Sequence, residues 1–415
     1  MNSYVRNGKR LMRIPLTEAQ EVLEREVALL PSESLSVEVA GGRWLLEDAE
    51  AGWDLPKKNE SAMDGWGVDH LALVNATPSE PVTLSLASPT HAGDKAQELP
   101  EGCCAWVGTG APIPKGATAV VPWEEASAET EGVVSFDKGV TSGRSVRRQA
   151  EDIHKGDLLA TKGVRLTPWS LQSLFSGGVE SVTVAPIPKV AIIASGDELY
   201  MPGTKPPFQD AIPCGNLIAI ANRAKKEGCK VVAMELIPDN KDALIQAVSD
   251  GEKKADLVIT IGGAAGGKKD FARLAFEKAG AEMLVPGLIL KPGGPSFITR
   301  WDSGTIGLGL AGNPLSALIV FEILGLQILR HLVGARRTRM TPLETLLDAP
   351  IIWKSSKPGF VPAEIVRHSP LTVAPVQPEG SHRVEGLART EMLLRFSGDE
   401  GEVVSETVVE GWKWT

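Results

Sequence analysis

The feature that most limits what this chain can fold into is the run Leu-Val-Ile-Thr-Ile at 257–261, closed at once by Gly262 and Gly263. Five apolar or β-branched residues without polar alternation predict a strand buried on both faces. Such strands belong to parallel sheets covered by helices on each side. Gly266 and Gly267 follow, then Asp270, and a helical pattern begins near Phe271. Glycines between a buried strand and a helix let the backbone approach a ligand and turn free amides toward an anion. Taken alone, the loop is better explained as a plain strand-to-helix turn, so its weight depends on whether other strand ends share its character.

They do. From Lys189 the pattern alternates, with strands at 189–195, 230–236, 257–261, 287–290 and 305–310 and helices at 215–227, 241–250 and 271–280. A long helix follows at 314–331, with Asn313 as N-cap and Pro314 at the first helical position. This alternation predicts a doubly wound, mainly parallel sheet over 187–340. Three strands end in polar or glycine-rich turns: Ser195-Gly196-Asp197-Glu198, Gly262-Gly263, and Ala311-Gly312-Asn313-Pro314. Parallel strands put their carboxyl ends on one edge, so these turns are expected to line one crevice, where open α/β sheets bind ligands. Asp197, Glu198, Asp239 and Asp270 would stand on the same rim, a donor set suited to Mg²⁺ beside a phosphate. Each of these carboxylates alone is more simply a helix cap or a solvated charge. The one Gly-x-Gly-x-x-Gly match, at 307–312, begins inside a strand instead of after it, which disfavours a dinucleotide site.

The remainder of the 415 residues divides around this unit, as a chain too long for one core should. A helix at 17–28, capped at Thr17, opens a body made of 1–60 and 141–186. Short β-type runs at 82–86, 104–107, 119–122 and 132–136 predict a small β insert over 61–140. The segment 144–152 is a charged connector, and strands at 157–166 and 181–184 flank a helix near 168–175. Residues 341–415 return to short strands and predict a C-terminal β domain, barrel-like in outline. The class is multidomain α/β plus β. A net charge of -9 argues against nucleic acid or a membrane surface as partner, because phosphate backbones demand a basic face. The longest chargeless run, 303–321, is broken by Gly, Asn and Pro and is not a membrane span. Four cysteines without metal-ligand spacing and no secretory signal make the cytoplasm the expected compartment.

Two tight loops outside the α/β unit carry chemistry-bearing side chains: Ser61-Ala62-Met63-Asp64-Gly65 and Thr109-Gly110-Ala111-Pro112. Composition alone leaves Asp64 open between a turn former and a catalytic carboxylate. Together with Arg147-Arg148, Glu151-Asp152, Ser195-Gly196-Asp197-Glu198-Leu199, Lys291-Pro292-Gly293 and Gly312-Asn313-Pro314, the two loops resemble the signature set of the molybdopterin molybdotransferases, the MoeA and gephyrin E-domain family. Order and spacing hold over essentially the whole chain. The resemblance implies an elongated four-domain subunit, with 1–60 and 141–186 as the elongated α+β domain, and a homodimer whose cleft is built from both chains. It implies Asp64, Thr109 and Asp152 as catalytic. Ser195, Gly196, Asp197, Glu198, Gly262, Gly263, Gly267, Lys291, Gly312, Asn313, Pro314, Arg147 and Arg148 would bind substrate, and Asp239 and Asp270 would hold Mg²⁺. The reaction implied is insertion of molybdate-derived Mo into adenylated molybdopterin with release of AMP, downstream of a molybdopterin adenylyltransferase-like protein.

The chain departs from the family pattern at the anion site. Ala265 replaces a Ser, Gly294 replaces the second Lys of Lys-Pro-Gly-Lys-Pro, and Gly287 replaces a further Lys upstream. Ala311 stands for a Pro, Cys214 for an Asp, Ala150 for a Gly, and an Arg expected in the last domain is missing near Ile365. The loss of two cations admits an alternative, a non-catalytic relative that binds a pterin or nucleotide, or a dimeric scaffold. Basic groups from Arg147, Arg148, Lys268 or Lys269 are candidates to replace the lost charge.

Overall fold

The computed structural model describes residues 4–6, 9–201, 203–264, 271–376 and 380–413. Its central element is a six-stranded sheet in the order Lys230–Ile237, Lys189–Ser195, Leu257–Ile261, Ile306–Leu310, Phe297–Arg300, Glu282–Val285. The first four strands run parallel, and the last two are antiparallel additions at one edge. The chain passes from 189–195 outward to 230–237 and then back across to 257–261. The order therefore reverses between Ser195 and Gly262, and a crevice opens at the carboxyl ends at such a point.

Each sheet face has its own core. One face packs Gly215–Lys226 and the long helix that starts at Pro314. The other packs Lys241–Glu252 and Ala272–Lys278. The long helix runs Pro314–Leu332 and is 83% buried, which is the packing of a core helix and not of a membrane span. Its middle, Phe321–Gly325, widens into a π-helical turn that brings buried Glu322 against Arg223 at 2.6 Å. Asn313 does begin this helix, with Pro314 next, but its side chain does not cap it: Nδ2 donates to Ser381 Oγ at 3.0 Å.

The strand Ile306–Leu310 shows why the sheet tolerates glycine at its centre. The Phe297 ring lies across Gly309, and Phe276 and Thr299 crowd Gly307, so neither site has room for a side chain. Phe276 and Phe297 meet edge-to-face, with centroids 5.5 Å apart.

The N-terminal helix is Leu16–Glu26, one residue earlier than the Thr17 start expected, with Pro15 and not Thr17 at its N-cap. Leu16, Ala19, Leu23 and Val27 join the α/β core, and Ile14–Pro15 pairs in parallel with Leu288–Ile289. Beyond it the chain goes out and returns as a ribbon of short antiparallel ladders: Glu33–Ser36 with Ser181–Val184, Ala49–Glu50 with Leu158–Ala160, and Glu60–Ser61 with Val146–Arg147. The strand expected over 157–166 is thus only three residues long, while the helix Pro168–Ser176 is held by a Thr167–Ser170 capping box. At the far end sits a six-stranded sheet ordered Ala119–Pro122, Gly65–Val68, Cys103–Val107, Val82–Leu86, Val133–Phe136, Ala128–Thr130. The last segment is a closed five-stranded barrel, Pro342–Leu347, Leu371–Pro375, Gly359–His368, Met392–Phe396, Val408–Lys413.

Adding one methyl at Gly309 should overpack the sheet. Gly309→Ala is expected to cost about 1–3 kcal/mol, read from the denaturant midpoint, and Phe297→Leu in the same chain should recover part of it.

Candidate active site

Three turns expected to converge do so. Gly262 is held with φ +96°, and a Cβ there would lie 2.8 Å from the Ser195 carbonyl oxygen, so only glycine lets the two strand ends close on one another. The Gly262 amide donates to the Leu310 carbonyl at 3.1 Å, and Gly312 lies against the Gly262 Cα. Asn216, in the first turn of the Gly215–Lys226 helix, donates from Nδ2 to the Gly312 carbonyl at 2.8 Å. That helix begins at buried Cys214, which offers no side-chain cap; burial also pushes its thiol pKa up. On the opposite side, the Asp239 amide donates to Asp197 Oδ1 at 3.0 Å, which sets both carboxylates on the same rim. Exposed Glu198 folds back over Gly196. Gly267 and Asp270, together with Ala265, Lys268 and Lys269, lie outside the described residues.

The loop from Gly287 to Pro295 adjoins this crevice through the Ala272–Lys278 helix. The Ala272 amide donates to the Gly263 carbonyl, and Arg273 Nη2 donates to the Pro295 carbonyl at 2.6 Å. Lys291 is exposed, but its ammonium turns toward the barrel: it donates to the Lys354 carbonyl at 3.1 Å and sits 5.8 Å from the centroid of the Trp353 ring. Ser381 meets both Asn313 and the Leu315 amide, so the barrel borders the crevice along the 291 and 313 loops.

A second cluster forms where the ribbon meets the insert sheet. The Asp64 carboxylate accepts from the Thr109 amide at 2.7 Å and from the Thr109 hydroxyl at 2.8 Å, both on Oδ1. Among the described residues Oδ2 accepts no hydrogen bond. The pair is exposed but anchored: buried Ser61 accepts from the Gly110 amide and donates to the Ala111 carbonyl through its backbone, and its hydroxyl donates to the Met63 carbonyl at 2.5 Å. The Ala62 amide donates to the Ser145 carbonyl, and Arg147 pairs with Glu60 at 3.4 Å. Asp64, Thr109 and Arg147 are therefore brought together. Arg148 and Asp152 lie on the same turn, closed by the Arg148 amide on the Glu151 carboxylate at 2.7 Å, and both are exposed. Asp152 is tied to the ribbon through its amide, which donates to the Leu55 carbonyl at 3.1 Å. Among the described residues, no hydrogen bond or ion pair joins this second cluster to the sheet-edge crevice.

The two Thr109 bonds, the backbone one first, hold the Asp64 carboxyl below the ordinary carboxylate range. Asp64 therefore enters any chemistry near neutral pH as an anion. It can orient a proton donor, polarise water or face a cation, and it is not an acid.

The comparisons with known proteins fall on the same residues. A family model described as the MoeA N-terminal region (domains I and II) matches residues 14–178, and one described as a probable molybdopterin-binding domain matches 191–331. The molybdopterin molybdenumtransferase of Haemophilus influenzae is 30% identical over 384 residues, covering 91% of this chain and 93% of its own. The chain belongs to the molybdopterin molybdenumtransferase family. Molybdopterin molybdenumtransferase 2 of Mycobacterium tuberculosis is 31% identical over 415 residues, 98% of this chain and 96% of that one. The crystal structure of a molybdopterin biosynthesis MoeA protein from Pyrococcus horikosii aligns with a TM-score of 0.84 at 26% identity, over 97% of this chain and 99% of that one. The first family match takes in the ribbon and the insert sheet with Asp64 and Thr109. The second takes in the parallel strands and the crevice. Each molybdenumtransferase region thus carries one of the two clusters.

Thr109→Val keeps the amide donor and removes the hydroxyl. The Asp64 pKa should rise toward its usual value, as followed by carboxyl-carbon NMR. Because this pKa is lowered on folding, the linked stability is present above the unfolded carboxylate pKa and fades as pH falls through the folded value. The variant should lose part of that linked stability near neutral pH and none of it below the folded pKa, so its stability should vary less with pH across the acid range.

Proposed function

We propose that this chain is a molybdopterin molybdenumtransferase of molybdenum cofactor biosynthesis. In this reading it inserts molybdate-derived Mo into adenylated molybdopterin and releases AMP. The observation that carries the reading is the intact Asp64–Thr109 pair, an ionised carboxylate with one oxygen fixed and the other available. A member that only bound a ligand would have no use for a carboxylate presented in that way, so the non-catalytic alternative is not favoured. Family membership over nearly the full length of its relatives supports the same conclusion.

In the proposed cleft, the turns at Ser195–Glu198, Gly262–Gly263 and Gly312–Pro314 let the backbone approach the pterin phosphate and the adenylate diphosphate closely. Lys291, on the loop that borders the crevice, is the cation of that wall, and Gly267, outside the described residues, is the further substrate-binding candidate. Asp64 orients or polarises the water or oxyanion attacking the phosphoanhydride, with Thr109 fixing its orientation and Asp152, Arg147 and Arg148 lining the approach. Water attacks the phosphorus on the pterin side, its oxygen stays on the pterin phosphate, the bridging oxygen leaves on AMP and the displaced proton goes to solvent. The two pterin thiols bond to Mo as molybdate gives up one oxide, which leaves as water with the thiol protons. Among the described residues the rim offers two neighbouring carboxylates, Asp197 and Asp239, a number that Mg²⁺ accepts when phosphate oxygens complete its shell. Asp239, with Asp270 outside the described residues, would hold it, and when bound it would offset the diphosphate charge.

In this reading the protein is a homodimer, in which Asp64 of one protomer faces the crevice of its partner. Adenylated molybdopterin implies an adenylyltransferase acting upstream, and an acidic chain with free thiols is consistent with the cytoplasm.

Incubation with adenylated molybdopterin, molybdate and Mg²⁺ should release AMP. Asp64→Asn should cut the rate by roughly 10²–10⁴-fold while leaving the circular dichroism spectrum and melting temperature near those of the parent. Loss of folding with loss of rate, or an unchanged rate, would remove Asp64 from the mechanism.

A further inference from the structure

The 287–295 loop has two glycines where the family pattern has cationic side chains, and one arginine from elsewhere in the chain lies over both. A Cβ at Gly287 would stand 3.1 Å from Arg13 Cγ, and a Cβ at Gly294 would stand 3.1 Å from Arg13 Nη1. The stem of Arg13 thus crosses one glycine and its guanidinium reaches the other. The placement is fixed by backbone pairing: the Ile14 amide donates to the Gly287 carbonyl at 3.0 Å, Ile14–Pro15 pairs with Leu288–Ile289, and the Leu288 amide donates to the Gly294 carbonyl at 2.9 Å. Arg13 is half-buried, in register with the loop it covers.

Gly294 has little room for a side chain of its own. Besides Arg13, the Leu290 and Leu288 carbonyl oxygens lie 3.1 and 3.2 Å from where its Cβ would be. A cation at this point is therefore most easily supplied from outside the loop. The same loop meets a second guanidinium, Arg273, through the Pro295 carbonyl, and Arg273 stands on the helix that leaves the Gly262–Gly263 turn. Cationic groups from two distant parts of the chain thus approach the loop that borders the crevice.

We infer that Arg13 is an anion-positioning residue, supplying at the Gly287–Gly294 loop the positive charge for a tetrahedral oxyanion substrate. Resting on the reading above, that oxyanion is molybdate. A guanidinium suits the task because its planar fork can give parallel N–H bonds to two oxygens of one anion, and it stays charged at every working pH. The charge that the loop lacks is restored by a residue nearly three hundred positions earlier.

The test uses the full chain with sodium molybdate, read by isothermal titration and by the molybdate dependence of AMP release. Arg13→Gln keeps the length and removes the charge. It should weaken molybdate binding and raise the molybdate KM by roughly tenfold or more, leaving the KM for adenylated molybdopterin unchanged. Arg13→Lys should fall between the two. Arg13→Ala with Gly287→Lys removes the Cγ that crowds position 287 and places an ammonium there, and this double variant should recover molybdate affinity. If Arg13→Gln shifts only the melting temperature, or if Gly287→Lys recovers nothing, Arg13 is a packing residue and the inference falls. A parent chain that releases no AMP but binds molybdate in an Arg13-dependent way would overturn the transferase reading and leave this one standing. A parent chain with normal turnover and an unaffected Arg13→Gln would do the reverse.

Discussion

The structure depends on the contact between two strand ends at the point where the sheet reverses its order. Gly262 can approach the Ser195 carbonyl only because it lacks a Cβ and adopts a positive φ. That approach draws in the Leu310 carbonyl and, through Asn216, the Gly312 turn. The apolar strands beneath supply the rigidity: 189–195 and 257–261 are buried almost to their ends, and helices cover both faces. Burial of these strands supplies the stability, while the turns above them are left to glycine, serine and carboxylates.

The Asp64 carboxylate is organised by a different piece of the fold. Asp64 is held by Thr109, and both are held by a small knot of backbone bonds among 59–64, 108–112 and 145–147 at the end of the ribbon. Short two-stranded ladders carry this knot away from the α/β unit. In the proposed reading each chain contributes one half of the site at each end, and pairing two chains brings unlike halves together. The barrel adds a third boundary, with Ser381 on Asn313 and Lys354 on Lys291, so both loops that border the crevice are also domain contacts.

Much of this was legible in the sequence, for a physical reason. The strands 189–195, 257–261 and 306–310 are continuous apolar runs ended by glycine or polar turns, and a buried parallel strand has no other way to look. The antiparallel strands Phe297–Arg300 and, at the sheet edge, Glu282–Val285 escaped because each is only four residues long and carries a charged residue at one end. The barrel strands Pro342–Leu347 and Gly359–His368 begin or continue through proline and charge, which masks the alternation. At the site, the Asp64 and Thr109 loops were recognisable as motifs, whereas their two hydrogen bonds and the lowered acidity were not. Asn313 looked like a cap because the residue type and Pro314 both fit, yet a serine sixty-eight positions away claims its side chain. Arg13 lay beyond sequence reasoning for the same reason: its relation to Gly287 and Gly294 exists only once Ile14 pairs with Leu288.

The claim at the centre of this account is that the crevice of one protomer works with Asp64 of the other, and hybrid dimers test it directly. Gly312→Leu fills the crevice without straining the backbone, since the nearest atom to a Cβ there is 3.6 Å away. Asp64→Asn disables the other half, and each variant alone should be inactive. When the two are unfolded and refolded together, half of the dimers pair unlike chains, and each such dimer holds one intact site of two. AMP release should therefore return to about a quarter of the parent rate. A mixture as inactive as either variant alone, with hybrid dimers shown to have formed, would place both halves of the site in one chain and contradict the account.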